Sequence, residues 1–311
     1  MNIGILGTGF GAYHAAILKK LDFVNRIVVF GRNEAKLNKL QEDLGVETTQ
    51  SAGDILNDDS LDVIDICLPT HLHSEYAVMA LQAGKDVFCE TPVALNLEDA
   101  LAILHAEETA GRRVLVNQFI KFDPAYQYLY EAAKQKKYGK LLKVTLKRET
   151  APLWGDLGLA SVAANLMIHE LDFINWLLDS PTISDVWGTT GVKNDQSLVC
   201  ASFHQSDISA EILVSSLMPD TYPFTVEYEA YFERAKLKFY ESDDMKGGLD
   251  TALIEFTDTG RQVIEFPPHN PYEKTLHHAL QCFKEGSESL LALRHAVQSL
   301  HLALSLTQKL S

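Results

Sequence analysis

The feature that most constrains the fold is a regular alternation through the first 117 residues. Short apolar runs recur at Asn2–Leu6, Arg26–Phe30 (RIVVF), Val63–Leu68 (VIDICL), Val87–Cys89 and Val114–Val116, with helix-like segments between them. Glu34–Leu44 spaces Leu37, Leu40 and Leu44 as one helical face and stops at Gly45. His73–Ala83 stops at Gly84, and Leu97–Ala110 at Gly111. A glycine just past a helix supplies the left-handed residue that ends it. Strands that read as unbroken apolar runs are buried on both faces, as in a parallel sheet covered by helices. The pattern therefore predicts a doubly wound parallel α/β sheet.

After Gln118 the rhythm changes. A helix is predicted over Pro124–Lys137, an alternating strand over Leu142–Glu149 and a helix over Val162–Leu178. Strands are then predicted at 183–192, 197–204, 208–217, 222–232, 235–240, 251–257 and 262–266, with closing helices near 272–285 and 290–310. Successive strands without intervening helices pair antiparallel, so this half reads as an α+β domain with a large, mainly antiparallel open sheet. The division is set at 1–118 and 119–311, and the 311 residues suffice for both domains.

Charge and cysteine usage exclude several functions. The net charge is −15, spread evenly: residues 1–117 carry 9 basic and 17 acidic groups, and the remainder 18 and 25. Such a surface repels nucleic-acid phosphates and anionic membranes. The basic run Lys134–Lys140 reads as a solvated helix end. Cys67, Cys89, Cys200 and Cys282 form no CxxC pair, which fits a reducing compartment. Met1 leads straight into a strand without a cationic segment, and no apolar stretch reaches membrane-spanning length. A cytoplasmic protein acting on a small molecule is expected, without nucleic-acid or membrane partners.

The turn after the first strand reads Gly7-Thr8-Gly9-Phe10-Gly11-Ala12. It fits G-x-G-x-x-G/A, with Gly7 at the tight turn, Gly9 where the backbone must approach a pyrophosphate and Ala12 where helix packs on strand. The N–H groups of the following helix point at the anion. This identifies the first domain as a Rossmann dinucleotide-binding domain. At the end of the second strand, where NAD enzymes place a carboxylate for the ribose hydroxyl, stand Arg32 and Asn33. Arg32 suits a 2′-phosphate, so the reading favours NADP, with NAD as the alternative. His71 and His73 lack further ligands for a metal, and no metal is expected.

Four further segments follow in order: Leu68-Pro69-Thr70-His71-Leu72-His73, Cys89-Glu90-Thr91-Pro92, Phe122-Asp123-Pro124 and Asn165-Leu166-Met167-Ile168-His169-Glu170-Leu171-Asp172. With the glycine turn, their order resembles the glucose–fructose oxidoreductase, inositol dehydrogenase and rhizopine-catabolism family, over essentially the whole chain. The resemblance implies hydride transfer between a nicotinamide and a sugar- or polyol-like hydroxyl or carbonyl at the domain cleft. It also implies a homodimer or homotetramer. It places Leu68, Pro69, Thr70, His73, Glu90 and Thr91 beside the cofactor. Relatives carry Glu-Lys-Pro where this chain has Glu90-Thr91-Pro92, and Asp-x-x-x-His where it has Asn165 to His169. His169 is then the proton carrier, while Thr91 and Asn165 replace a charged lysine and a carboxylate.

Lys121 is a candidate for the missing charge, and Tyr126, Trp154 and Tyr222 are candidates for substrate contact. Asp172, one turn beyond His169, reads as a structural anchor. The same two substitutions motivate a second expectation, a dinucleotide-binding sensor with little or no turnover.

Overall fold

The computed structural model describes residues 1–152 and 155–310. In chain order the first elements are β1 (Asn2–Leu6), α1 (Phe10–Leu18), β2 (Arg26–Phe30), α2 (Glu34–Leu44), β3 (Glu47–Thr49), α3 (Ala52–Leu56), β4 (Val63–Ile66), α4 (His73–Gln82), β5 (Asp86–Cys89), α5 (Leu97–Ala110) and β6 (Val114–Val116). The strands form one parallel sheet in the order β3-β2-β1-β4-β5-β6. Strand order reverses between β1 and β4, the place where such sheets open a crevice beyond their carboxyl ends. Ile3, Ile5, Val29, Ile64, Ile66, Val87 and Val116 are fully buried, as continuous apolar strands require.

The next elements are α6 (Pro124–Lys134), β7 (Leu141–Glu149), α7 (Val162–Asn165), α8 (Ile168–Leu178), β8 (Thr182–Thr190), β9 (Ser197–Gln205), β10 (Ile208–Ser215), β11 (Phe224–Phe232), β12 (Ala235–Asp243), β13 (Leu249–Thr257) and β14 (Gly260–Ile264). Their eight strands run β14-β13-β12-β11-β7-β10-β9-β8, antiparallel except for the parallel pair β7–β10. Along β7 buried and exposed positions alternate, so one sheet face buries Val144, Leu146, Ile212 and Phe239 with Leu129, Leu171 and Ile174 of the helices. Asp123 caps α6 by accepting from the Ala125 and Tyr126 N–H groups, and Pro124 opens the first turn.

The predicted single helix over Val162–Leu178 is two. At the break the Val162 carbonyl accepts from both Leu166 and Met167 N–H, and the second bond reaches back five residues. That extra residue rotates α8 relative to α7, so Asn165 and His169 do not follow one helical face.

The last helices are α9 (Pro271–Glu285) and α10 (Leu293–Leu310). The chain divides into two compact units, Met1–Phe119 with Asn270–Leu300, and Ile120–His269 with His301–Ser311. The segment from Asn270 thus joins the first unit, unlike the simple division after residue 118. The Val116 N–H donates to Leu291 O at 2.8 Å and the Arg113 guanidinium to Cys282 O at 2.7 Å, while Tyr272 stacks on Phe119 at 4.2 Å. Helical periodicity shows which face of α9 is apolar but not which sheet it will cover. No helix among the described residues is long and apolar enough to cross a membrane.

Arg148 of β7 and Glu170 of α8 pair in the second unit's interior, with Nε to Oε1 and Nη2 to Oε1 both 2.8 Å. The carboxylate is fully buried. Removing one partner strands a charge, so Arg148→Met is expected to destabilise by about 3–5 kcal/mol. Arg148→Met/Glu170→Leu should recover most of that loss in calorimetric melting.

Candidate functional site

The glycine turn has the geometry that close approach of an anion requires. Gly7 adopts φ +117°, and a Cβ there would lie 2.4 Å from the Cys67 carbonyl oxygen. At Gly9, the N-cap of α1, a Cβ would meet nothing within 4 Å. Its missing side chain therefore leaves open space at the end of the helix, and the first-turn N–H groups lie outside the helical ladder. A Cβ on Gly11 would lie 2.8 Å from Ile5 Cγ2 and 3.4 Å from Cys67 Cβ. Gly11, not Ala12, is thus where α1 meets the sheet; Ala12 is half-exposed because the tight contact falls one residue earlier. Thr8 packs where a Gly31 side chain would stand, 2.4 Å from a Cβ there, so the turn adjoins the end of β2.

Arg32 is exposed beyond β2, and Asn33 spends its side chain on capping α2 through the Lys36 N–H. Leu68, Pro69 and Thr70 follow β4 into a short turn of helix. His73 is buried, with Nδ1 2.9 Å from Pro92 O and Nε2 2.7 Å from Leu68 O. Both nitrogens are engaged within the protein, so His73 ties two loops together and offers no ring nitrogen to a ligand. Burial holds its pKa below the ordinary value despite those two contacts.

Sequence reading missed the polar cluster beneath the turn. His14 of α1 is fully buried, with Nδ1 2.9 Å from Asp65 Oδ2 and Nε2 3.0 Å from Glu90 Oε1. Asn117 Nδ2 donates to the same Glu90 oxygen at 2.6 Å, and the Thr91 N–H to the other at 3.3 Å. Thr91 and Glu90 are therefore set by a shared carboxylate. The signal available was Asp65 itself, an acid inside an apolar strand that demands a buried partner. His14, Cys67 and Glu90 include donor types that bind metals. One donor atom of each lies within 4.8 Å of the others, and the His14 Nδ1 is already bonded to Asp65 at 2.9 Å.

In the second unit His169 is partly exposed at the start of α8. Burial, first, and the Arg148 guanidinium hold its pKa well below the ordinary imidazole value, leaving it neutral at pH 7. Asn165 donates to Asp156 O at 3.1 Å. Lys121 is 2 % exposed and its ammonium lies 2.9 Å from Asp172 Oδ1. That makes the pair a buried anchor between α8 and the segment before α6. Tyr126 is a core residue against Phe173, Tyr228 and Phe239. Tyr222 donates to Glu149 at 2.6 Å. Trp154 lies outside the described residues.

Residues 1–118 match the profile of the Gfo/Idh/MocA oxidoreductase family, described by its NAD-binding Rossmann fold. The likeness to this family is thus shown for the first 118 residues. Myo-inositol 2-dehydrogenase of Thermotoga maritima is 26% identical over 203 residues, 64% of this chain and 60% of that protein. Inositol 2-dehydrogenase of Paracoccus denitrificans is 31% identical over 185 residues, 58% of this chain and 54% of that protein. The matches thus span between half and two thirds of these relatives' length. UDP-N-acetylglucosamine 3-dehydrogenase from Acidithiobacillus ferrooxidans shares the fold, with a TM-score of 0.82 at 18% identity over 100% of this chain and 97% of that one.

The space above Gly9 separates binding from folding. In Gly9→Ala the added Cβ meets nothing within 4 Å, and the melting temperature is expected to stay within about 3 °C, since replacing a glycine N-cap costs about 1 kcal/mol or less. Filling the space should lower nicotinamide-dinucleotide affinity at least about tenfold in a fluorescence titration, because the backbone approach is lost. Gly7→Ala, which drives a Cβ into the Cys67 carbonyl, should instead lower the melting temperature.

Proposed function

We propose that the protein is an NAD(P)-dependent oxidoreductase acting on a secondary hydroxyl or carbonyl of a small polyol- or sugar-like molecule. The observation that carries the reading is the open space at Gly9, at the head of α1 and beside the reversal in strand order. The two inositol dehydrogenases quoted above support the substrate class. The residues that would hold the dinucleotide are Gly7, Thr8, Gly9, Phe10 and Gly11 at the turn, with Leu68, Pro69, Thr70, Glu90 and Thr91 across the crevice. Bound there, a nicotinamide supplies the hydride donor or acceptor. Arg32 is exposed at the β2 end and suits the 2′-phosphate of NADP.

His169 takes the hydroxyl proton when the substrate carbon is oxidised. Its depressed pKa suits that role, because the neutral ring is a ready acceptor across the physiological range. Thr91 donates a hydrogen bond where relatives carry a charge, so alkoxide stabilisation is weaker. Asn165, tied to the Asp156 carbonyl, adds no carboxylate to the imidazole. These two substitutions also support a second reading, a dinucleotide-binding sensor with little turnover.

Oxidation of a polyol panel, followed by nicotinamide absorbance, distinguishes the two. An enzyme shows turnover that His169→Asn lowers by about 10²–10⁴ and Thr91→Lys raises at least about tenfold. Its rate is flat from pH 6.5 upward and falls only in acid, since His169 must be neutral. Dinucleotide binding without turnover of any member of the panel supports the sensor. Arg32→Ala should weaken NADPH binding and leave NADH binding unchanged.

A further inference from the structure

We propose that His14 is a positioning residue of the nucleotide crevice. By bonding Asp65 through Nδ1 and standing in ion-pair contact with Glu90, 3.0 Å from Nε2, it fixes the carboxylate at the end of β5 and so the Glu90–Thr91 corner that receives the second half of a dinucleotide. The inference rests on the dinucleotide reading of that crevice. Doubly wound sheets are built from two mononucleotide-binding halves. The pyrophosphate turn and the ribose-reading end of β2 belong to the half β1–β3, which leaves the end of β5 to the other half. His14 stands on the first helix and Glu90 on the far side of the reversal, so their contact couples the two halves directly.

Three groups converge on the Glu90 carboxylate: the His14 ring from α1, the Asn117 amide from the end of β6 and the Thr91 N–H from its own loop. Asp65 is 1% exposed between Ile64 and Ile66, where an uncompensated charge is untenable. Burial alone would lower the His14 pKa. The charge and hydrogen bond of Asp65, with a smaller contribution from Cys67, instead raise it far above the imidazole range. A protonated ring carries the positive charge that a bond to Asp65 and an ion-pair contact with Glu90 call for. Because the ring is fully buried, it acts through Glu90 and not by touching a ligand.

Calorimetric titration of wild type, His14→Gln and Asn117→Ser with ADP and with NADH and NADPH tests this. ADP reaches only the first half of the crevice and the pyrophosphate turn, and lacks the second ribose and the nicotinamide ring. Loss of the buried ion-pair contact should lower dinucleotide affinity about tenfold or more in His14→Gln while ADP affinity holds within about twofold. Asn117→Ser should move in the same direction, and it carries the test if His14→Gln fails to fold. In wild type, the His14 ring should keep both N–H signals by NMR above the ordinary titration near 6.5.

Equal losses for both ligands, no loss for either, or a ring that deprotonates near neutrality would each overturn the assignment. Wild-type protein that binds neither ligand would instead remove the dinucleotide reading beneath it, whatever the NMR shows.

Discussion

Burying a parallel sheet on both faces is the constraint from which the first unit's organisation follows. With helices above and below, side chains within β1, β2, β4, β5 and β6 must be apolar, and polar chemistry is confined to the strands' carboxyl ends. The turn at Gly7–Gly9, the loop after Leu68 and the corner at Glu90–Thr91 all lie there. Asp65 is an acid buried in the middle of β4, and the fold accommodates it by aiming His14 at it from α1. The cation that neutralises Asp65 also reaches Glu90, so one requirement of burial organises the edge of the crevice.

The second unit treats buried charge in a similar way but with different consequences. Arg148–Glu170 and Lys121–Asp172 are internal pairs that join α8 to β7 and to the segment before α6. Buried pairs of this kind specify geometry more than they add stability. Both place a partner on α8, whose first turn carries His169, so they fix the helix that presents the imidazole. The Arg148 guanidinium additionally disfavours protonation of that ring. A single pair thus contributes to the position and the protonation state of His169.

Much of this was legible in the sequence, and the reasons differ by element. Short apolar runs, glycine stops and the Gly-x-Gly turn are local signals, and they gave both sheets and the nucleotide crevice. The alternation along Leu142–Glu149 likewise marked a half-buried strand. The His14 cluster was hidden because its partners lie 51 and 76 positions away, and FGAYHAAIL reads as an ordinary apolar helix. Lys121 looked available because its partner Asp172 is equally remote, and Tyr126 because spacing does not reveal a core of Phe173, Tyr228 and Phe239. The break between Asn165 and His169 depends on a carbonyl accepting two bonds, for which LeuMetIle carries no composition cue.

A net charge of −15 and a doubly anionic ligand are compatible because the two act over different distances. Exposed charges are screened within about 8 Å at physiological ionic strength. An anion at the head of α1 instead meets N–H dipoles at contact distance, where the field of the helix terminus is worth up to about 2 kcal/mol. The nearest acids of the crevice, Asp65 and Glu90, are both turned toward His14. Their charge is therefore partly cancelled where the phosphates would lie, and the acidity of the remaining surface is left to govern which partners the protein repels.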